Sequence, residues 1–273
     1  MWLNVPMPSI KISYSNENLK ADAETLAAKL GLGLQGSSGD EKVLPKADYL
    51  LTFKPSGLCL ESTQQGGHGP IRCDFDSGII THRRKYGGGN GQSIAKAVGI
   101  SGKFMPHVLD LTAGMGSDGF VLAGLGCRLT LLERNSIVYS LLYDGLQRAS
   151  LAGMGDSGLA EVVARIDLLE ADSLTYLQSL ESAQLPDVIY IDPMFPARKK
   201  SAKVKKEMQV FHGIVGADED AAELLVLALQ RAKYRVVVKR SAAAGHLGEM
   251  APSYSREGKT TRFDVYALHR LPS

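Results

Sequence analysis

The sequence predicts an α/β protein: a doubly wound, mostly parallel sheet preceded by a smaller N-terminal α/β region. Three observations predict it. From His107 onward, short β-branched and Leu-rich runs alternate with helical segments, the pattern of βαβ units. A glycine-rich turn follows the first of those runs directly, and the chain before Gly87 carries shorter, hairpin-like patterning.

In order, an amphipathic stretch at 19–30 predicts a helix and residues 36–39 a Gly/Ser turn, followed by strands at 49–53 and 57–61. Residues 71–75 and 78–82 read as a hairpin around Asp76-Ser77-Gly78. The run Gly87-Gly88-Gly89-Asn90-Gly91 reads as a flexible joint, and 93–98 as a helix entering the second region. Residues 1–90 are therefore expected to form the small region and 91–273 the larger domain. Within the latter, strands are expected at 108–111, 129–133, 166–169, 188–191 and 235–239. Helices fill the intervals at 136–152, 174–180 and 218–233, and 262–268 adds one more strand, giving five parallel strands and a terminal antiparallel pair.

Composition narrows the function classes. With 273 residues and 44% hydrophobic content the chain can bury a sizeable core. No apolar run approaches the length of a membrane-crossing helix, and Met-Trp-Leu-Asn-Val-Pro lacks a signal peptide's basic start, so a cytoplasmic protein without a membrane partner is expected. Cys59, Cys73 and Cys127 are far apart with no metal-ligand spacing; buried thiols and no metal are expected. A formal charge of +2 says little, but its distribution does: Arg198, Lys199, Lys200, Lys203, Lys205 and Lys206 form a run free of acids, and His82, Arg83, Arg84 and Lys85 a second group.

The segment Val108-Leu-Asp-Leu-Thr-Ala-Gly-Met-Gly-Ser-Asp-Gly119 places a strand before a glycine turn, with a helix expected from Ser117. Glycines let backbone approach a ligand closely, and the helix N-terminus supplies free amides. Gly114, Gly116 and Gly119 satisfy Gly-x-Gly-x-x-Gly with Glu133 ending the next strand, so a dinucleotide site is also formally met. Asp110, four residues before Gly114, favours S-adenosyl-L-methionine: its carboxylate can order the loop and meet the ligand's ammonium group. Glu133 can accept the ribose hydroxyls of either ligand. Asp172 and Ser173 are placed to meet the adenine edge, or Asp172 caps a helix.

The fourth strand ends in Asp192-Pro193-Met194-Phe195-Pro196. This resembles the Asn/Asp-Pro-Pro-Tyr/Phe signature of methyltransferases that act on exocyclic amino nitrogens of bases. Such a nitrogen is a poor nucleophile because its lone pair is delocalised into the ring. The Asp192 carboxylate and Pro193 carbonyl can accept its two N–H groups and direct the lone pair at a methyl donor, while Phe195 stacks on the extruded base. The adjoining run from Arg198 would hold flanking phosphates, and Lys239 and Arg240 also fall on the ligand-facing rim. Two alternatives stand beside this reading, an NAD-dependent oxidoreductase and a non-catalytic RNA-binding ribosome assembly factor.

Asp110-Leu-Thr-Ala-Gly-Met-Gly-Ser-Asp118, Leu132-Glu-Arg-Asn135, Asp192-Pro-Met-Phe-Pro196, Val204-Lys-Lys-Glu-Met208, Arg235-Val-Val-Val-Lys-Arg240 and Arg262-Phe-Asp264 together resemble the bacterial 16S ribosomal RNA guanine-N2 methyltransferases of the RsmJ type. Met194 is the usual residue there. The resemblance runs from about Leu50 to Leu268. It implies a Rossmann-like class I methyltransferase fold, S-adenosylmethionine as cofactor, and N2-methylation of the guanine at position 1516 of 16S ribosomal RNA, free or in the small subunit. It also implies cofactor contacts at Ser117, Asp118, Glu133, Arg134, Asp172, Ser173 and Asp192, and a substrate-binding role for the N-terminal region.

Overall fold

The computed structural model describes residues 8–36, 47–64, 67, 69–75, 90–194, 214 and 220–272. The chain divides into two units, one comprising Met1–Cys73, Ser136–Arg148 and Met194–Ala217, the other Asp74–Asn135, Ala149–Pro193 and Asp218–Ser273.

In the first unit, strands β1 (Ile10–Tyr14), β2 (Leu34–Gln35), β3 (Tyr49–Lys54) and β4 (Gly57–Ser62) form a sheet of order β2-β1-β3-β4, and helix α1 (Lys20–Leu30) follows β1. β1 runs parallel to β2 and β3, while β3 and β4 form a hairpin with Leu51 opposite Leu60. The helix ends at Gly31, whose φ of 64° supplies the left-handed cap. Residues 71–75 depart from the expected strand. Only Ile71 bridges Leu60; beyond it Arg72 donates to the Ser56 carbonyl and the Cys73 carbonyl accepts from Arg148, which draws the backbone off the sheet. The expected second hairpin strand at 78–82 and the basic group from His82 to Lys85 lie outside the described residues.

The first described element of the second unit is α2 (Asn90–Val98), so Asn90 and Gly91 belong to a helix rather than to a joint. There follow β5 (His107–Asp110), α3 (Ser117–Gly124), β6 (Arg128–Glu133), α4 (Ser136–Gly153), α5 (Ser157–Val163), β7 (Ile166–Glu170), α6 (Ser173–Ser179), β8 (Val188–Ile191), α7 (Ala221–Arg231), β9 (Arg235–Ser241), β10 (Tyr254–Glu257) and β11 (Thr261–Ala267). α4 is shared, its first thirteen residues grouping with the first unit. The sheet order is β10-β11-β9-β8-β5-β6-β7; β7, β6, β5, β8 and β9 are parallel, and β11 is antiparallel to both β9 and β10. The doubly wound, mostly parallel sheet expected from the sequence is thus present, with β10 supplying the partner of the terminal pair.

Parity along the strands decides which side chains meet which helices. Leu109, Ile189, Val236 and Val238 cluster with Leu177 of α6 and Leu224, Leu225 and Ala228 of α7, all buried. Each of the leucine, isoleucine and valine side chains contributes roughly 1.5–3 kcal/mol by leaving water. The next residues along the same strands, Asp110, Tyr190 and Lys239, therefore project from the opposite face of the sheet. Gly119 of α3 packs on that face. A Cβ there would sit 2.7 Å from Leu131 Cδ2, so the third glycine of the motif serves close helix–strand packing. Gly119→Val is expected to lower unfolding stability by about 1–3 kcal/mol through overpacking, measured by urea denaturation.

The three cysteines are free and buried, as expected; burial pushes the Cys59 thiol up to about 11 and the Cys127 thiol to about 12. Among the described residues, no helix is long and apolar enough to cross a membrane, and no group of three or more His, Cys, Asp or Glu could hold a metal ion.

Candidate active site

The chain leaves β5 to form β6 on one side and crosses to β8 on the other, so the order reverses between β5 and β8. Ligands of open α/β sheets bind outside the carboxyl ends of the strands at such a point. Asp110 ends β5 and Asp192 follows β8, one on each side of that reversal; Glu133 ends β6 and Lys239 lies late in β9.

The glycine loop is shaped for a ligand. Gly114 and Gly116 adopt φ of 53° and 70°, left-handed values that disfavour other residues, and Gly116 caps α3. Among the described residues, a Cβ on Gly114 would meet nothing nearer than the Thr112 carbonyl oxygen at 3.9 Å, which leaves room beside the loop backbone. The amides of Ser117 and Asp118, in the first turn of α3, have no acceptor within the helix. This arrangement fits a ligand edge carrying a carboxylate or hydroxyls. Glu133 holds the loop from behind: Oε2 accepts from the Gly114 amide at 2.9 Å and Oε1 from the Asn135 amide at 2.8 Å.

Asp110 orders the loop, as its position predicts. Its Oδ1 accepts from the Thr112 amide at 3.0 Å, and Thr112 Oγ1 accepts from the Asp192 amide at 2.7 Å. Thr112 thereby joins the glycine loop to the Asp192 corner. Burial pushes the Asp110 carboxyl up to about 7, with Asp118 and Asp192 adding to the rise; the Thr112 amide opposes it. A cation brought beside Asp110 would offset this penalty.

A second network lies on the same face. Asp118 Oδ2 accepts from Tyr190 Oη at 2.6 Å and from Lys239 Nζ at 2.8 Å, and Lys239 Nζ also donates to Asp192 Oδ2 at 2.8 Å. Burial draws the Lys239 ammonium down, but Asp192 and Asp118 outweigh it and hold it above the ordinary lysine range. Burial first, then Asp118 and Asp192, raise the Tyr190 phenol well above its usual value. Sequence reasoning placed Lys239 on the rim without a role and passed over Tyr190 and Thr112. Period-two alternation from Asp110 in the neighbouring strands would have found the first two.

Arg240 is corrected. It is a buried brace, not a rim charge, because parity turns it to the other face, where Nε and a terminal nitrogen donate to the Gly245 carbonyl. Arg134 pairs with Asp220 at 2.6 Å. The Ser173 hydroxyl donates to the Leu111 carbonyl at 2.6 Å, which ties α6 to the end of β5. Asp172 caps α6, its Oδ1 accepting from the Thr175 amide and hydroxyl, both at 2.9 Å. Asp172→Ala is expected to cost about 1 kcal/mol, read as a lower urea midpoint. Ser117 is exposed and Pro193 buried. Phe195 and the basic residues Arg198, Lys199, Lys200, Lys203, Lys205 and Lys206 lie outside the described residues.

The family model described as "Putative SAM-dependent methyltransferase" matches residues 40–268. With the doubly wound sheet and its open glycine loop, this defines the protein as a class I S-adenosylmethionine-dependent methyltransferase. The "Ribosomal RNA small subunit methyltransferase J" of Cellvibrio japonicus is 49% identical over 97% of this chain and 100% of its own length. Proteins of the same name from Pseudomonas fluorescens and Coxiella burnetii are 46% and 44% identical, covering 96% and 95% of this chain and 96% and 97% of their own. A crystal structure of a SAM-dependent methyltransferase from Neisseria gonorrhoeae aligns with a TM-score of 0.68 at 35% identity, covering 94% of this chain and 95% of that one. The chain belongs to the ribosomal RNA small subunit methyltransferase J family.

Proposed function

We propose that the enzyme methylates the exocyclic N2 of the guanine at position 1516 in 16S ribosomal RNA, free or in the small subunit, in the bacterial cytoplasm. The relatives' shared name supports the RNA. The observation that carries the chemistry is the Asp192-Pro193 corner, fixed across the switch point from Asp110 by the Thr112 hydroxyl and by Lys239.

In this reading Gly114, Gly116, Ser117 and Asp118 line the amino-acid end of S-adenosylmethionine, with Asp110 beneath its ammonium group. Glu133 and Arg134 flank the ribose, Asp172 and Ser173 the adenine, and Asp192 closes the site. When bound, the sulfonium supplies an electrophilic methyl group. The Asp192 carboxylate and Pro193 carbonyl accept the two N–H groups of the guanine amine, which draws its lone pair out of conjugation and aims it. The methylated nitrogen would then have one proton to lose, and the Asp192 carboxylate would accept it. Alignment of this kind supplies most of the acceleration in a direct displacement. Phe195 stacks on the extruded base, and Arg198, Lys199, Lys200, Lys203, Lys205 and Lys206 neutralise flanking phosphates. The N-terminal region, residues 1–90, adds substrate-binding surface.

Labelled S-adenosylmethionine, the purified protein and 16S ribosomal RNA from a deletion strain test this reading. Label on one guanine N2 supports it. Label on another base, or none on either free RNA or subunits, contradicts it.

A further inference from the structure

Lys239 is the one cation seen to bridge the loop side and the Asp192 side of the site among the described residues. Its Nζ lies 2.8 Å from Asp118 Oδ2, on the first turn of α3, and 2.8 Å from Asp192 Oδ2, beyond β8. The Asp118 oxygen is itself held at 2.6 Å by Tyr190 Oη, whose ring is buried in the sheet. The ammonium thus has a rigid anchor on one side and Asp192 on the other. The Asp192 backbone is fixed separately by Thr112, so its side chain depends on Lys239 for one of its restraints. A lysine serving stability alone has no need to be aimed at the residue that meets the substrate, and a mobile carboxylate would spread the amine's lone pair over many directions.

We infer that Lys239 is a positioning residue for methyl transfer: anchored on Asp118, its ammonium fixes the Asp192 carboxylate as an anion facing the methyl-accepting nitrogen. The inference rests on the reading of Asp192 given above. The charged and titratable groups meeting there are Asp110 from β5, Asp118 from α3, Tyr190 and Asp192 from β8 and its end, and Lys239 from β9.

The test is single-turnover methyl transfer against pH for Lys239→Met, Lys239→Arg, Asp192→Asn and the double variant Lys239→Met/Asp192→Asn, with S-adenosylhomocysteine affinity measured in parallel. Lys239→Met is expected to slow transfer about 10²-fold with S-adenosylhomocysteine affinity changed less than about threefold. Its acid limb should move to higher pH, because a carboxylate without its cation protonates more readily. Lys239→Arg, which keeps the charge, should recover part of the rate with the acid limb in place. The double variant should be no slower than Asp192→Asn, since Lys239 acts through Asp192. A Lys239→Met enzyme as fast as wild type, beside an inactive Asp192→Asn, overturns the inference and leaves the reading of Asp192 standing. So does a slow Lys239→Met enzyme whose acid limb stays in place and whose cofactor affinity falls in parallel, the mark of a merely structural lysine. An Asp192→Asn enzyme as fast as wild type overturns both.

Discussion

Asp192→Asn is expected to lower kcat for methyl transfer to ribosomal RNA about 10³-fold while changing RNA affinity less than about threefold. Asparagine keeps the size of the side chain and can still accept from Lys239, so the loop and the ammonium bridge survive. What is lost, under the proposed function, is the anion that would accept the amine's N–H and receive its proton. Both losses fall in the transition state rather than in substrate binding, and an interaction made only there lowers kcat and kcat/KM together. Rapid-quench transfer and filter binding on the same samples separate these terms. A variant with wild-type kcat, or one that fails through weaker RNA binding alone, would move the chemistry away from this corner.

Asp264→Ala is expected to lower unfolding stability by about 3–5 kcal/mol. Asp264 is fully buried in β11 and holds four bonds. Arg262 donates to it at 2.8 Å and 3.1 Å, the Ser255 hydroxyl at 2.6 Å, and His246 Nδ1 lies at 3.2 Å. The Arg262 guanidinium also donates to the Ala242 and Ala244 carbonyls, so it cannot swing into water without breaking the β9 loop. Removing the carboxylate strands that buried charge. Burial alone would raise the Asp264 carboxyl, but the bonds from Arg262, Ser255 and His246 outweigh it and hold it below the ordinary value of 3.8. A depressed carboxyl stabilises above its unfolded value and loses that contribution as the pH falls through its folded one. The gap between wild type and Asp264→Ala should therefore be full at neutral pH and shrink only below 3.8. Urea denaturation at neutral and strongly acid pH measures it; an equal gap at both would contradict the ion-pair account.

The parallel sheet was legible because its central strands are buried on both faces and read as continuous apolar runs, Val188 to Ile191 being the plainest. Of the helices between them, α4, α6 and α7 were legible to within three residues at their ends, whereas α5 was not read. β1 was not read, although Ile10, Ile12 and Tyr14 alternate with polar residues; five residues ahead of a helix carry little signal against propensity alone. β10 was missed because Tyr-Ser-Arg-Glu is a polar edge strand, recognisable only by its pairing with β11. Motif and spacing placed Asp110, the glycines, Glu133 and Asp192 at strand ends and turns, where the structure also has them, since the pattern marks each. The partners of those residues were not legible. Lys239 bonds to Asp118 across 121 positions and Asp192 to Thr112 across 80, separations that only the folded sheet brings together. Asp172 shows the reverse: its capping role needs only the three residues that follow, and the sequence offered it beforehand.

The central claim is that the methyl donor lies along the carboxyl rim between the glycine loop and Asp192. A crystal structure of the protein with S-adenosylhomocysteine measures this directly. The account predicts the amino-acid end over Gly114 to Asp118, the ribose at Glu133 and the sulfur turned towards Asp192, with the Lys239 bridge intact. Density for the ligand elsewhere, or at the rim with its sulfur directed away from Asp192, would contradict it.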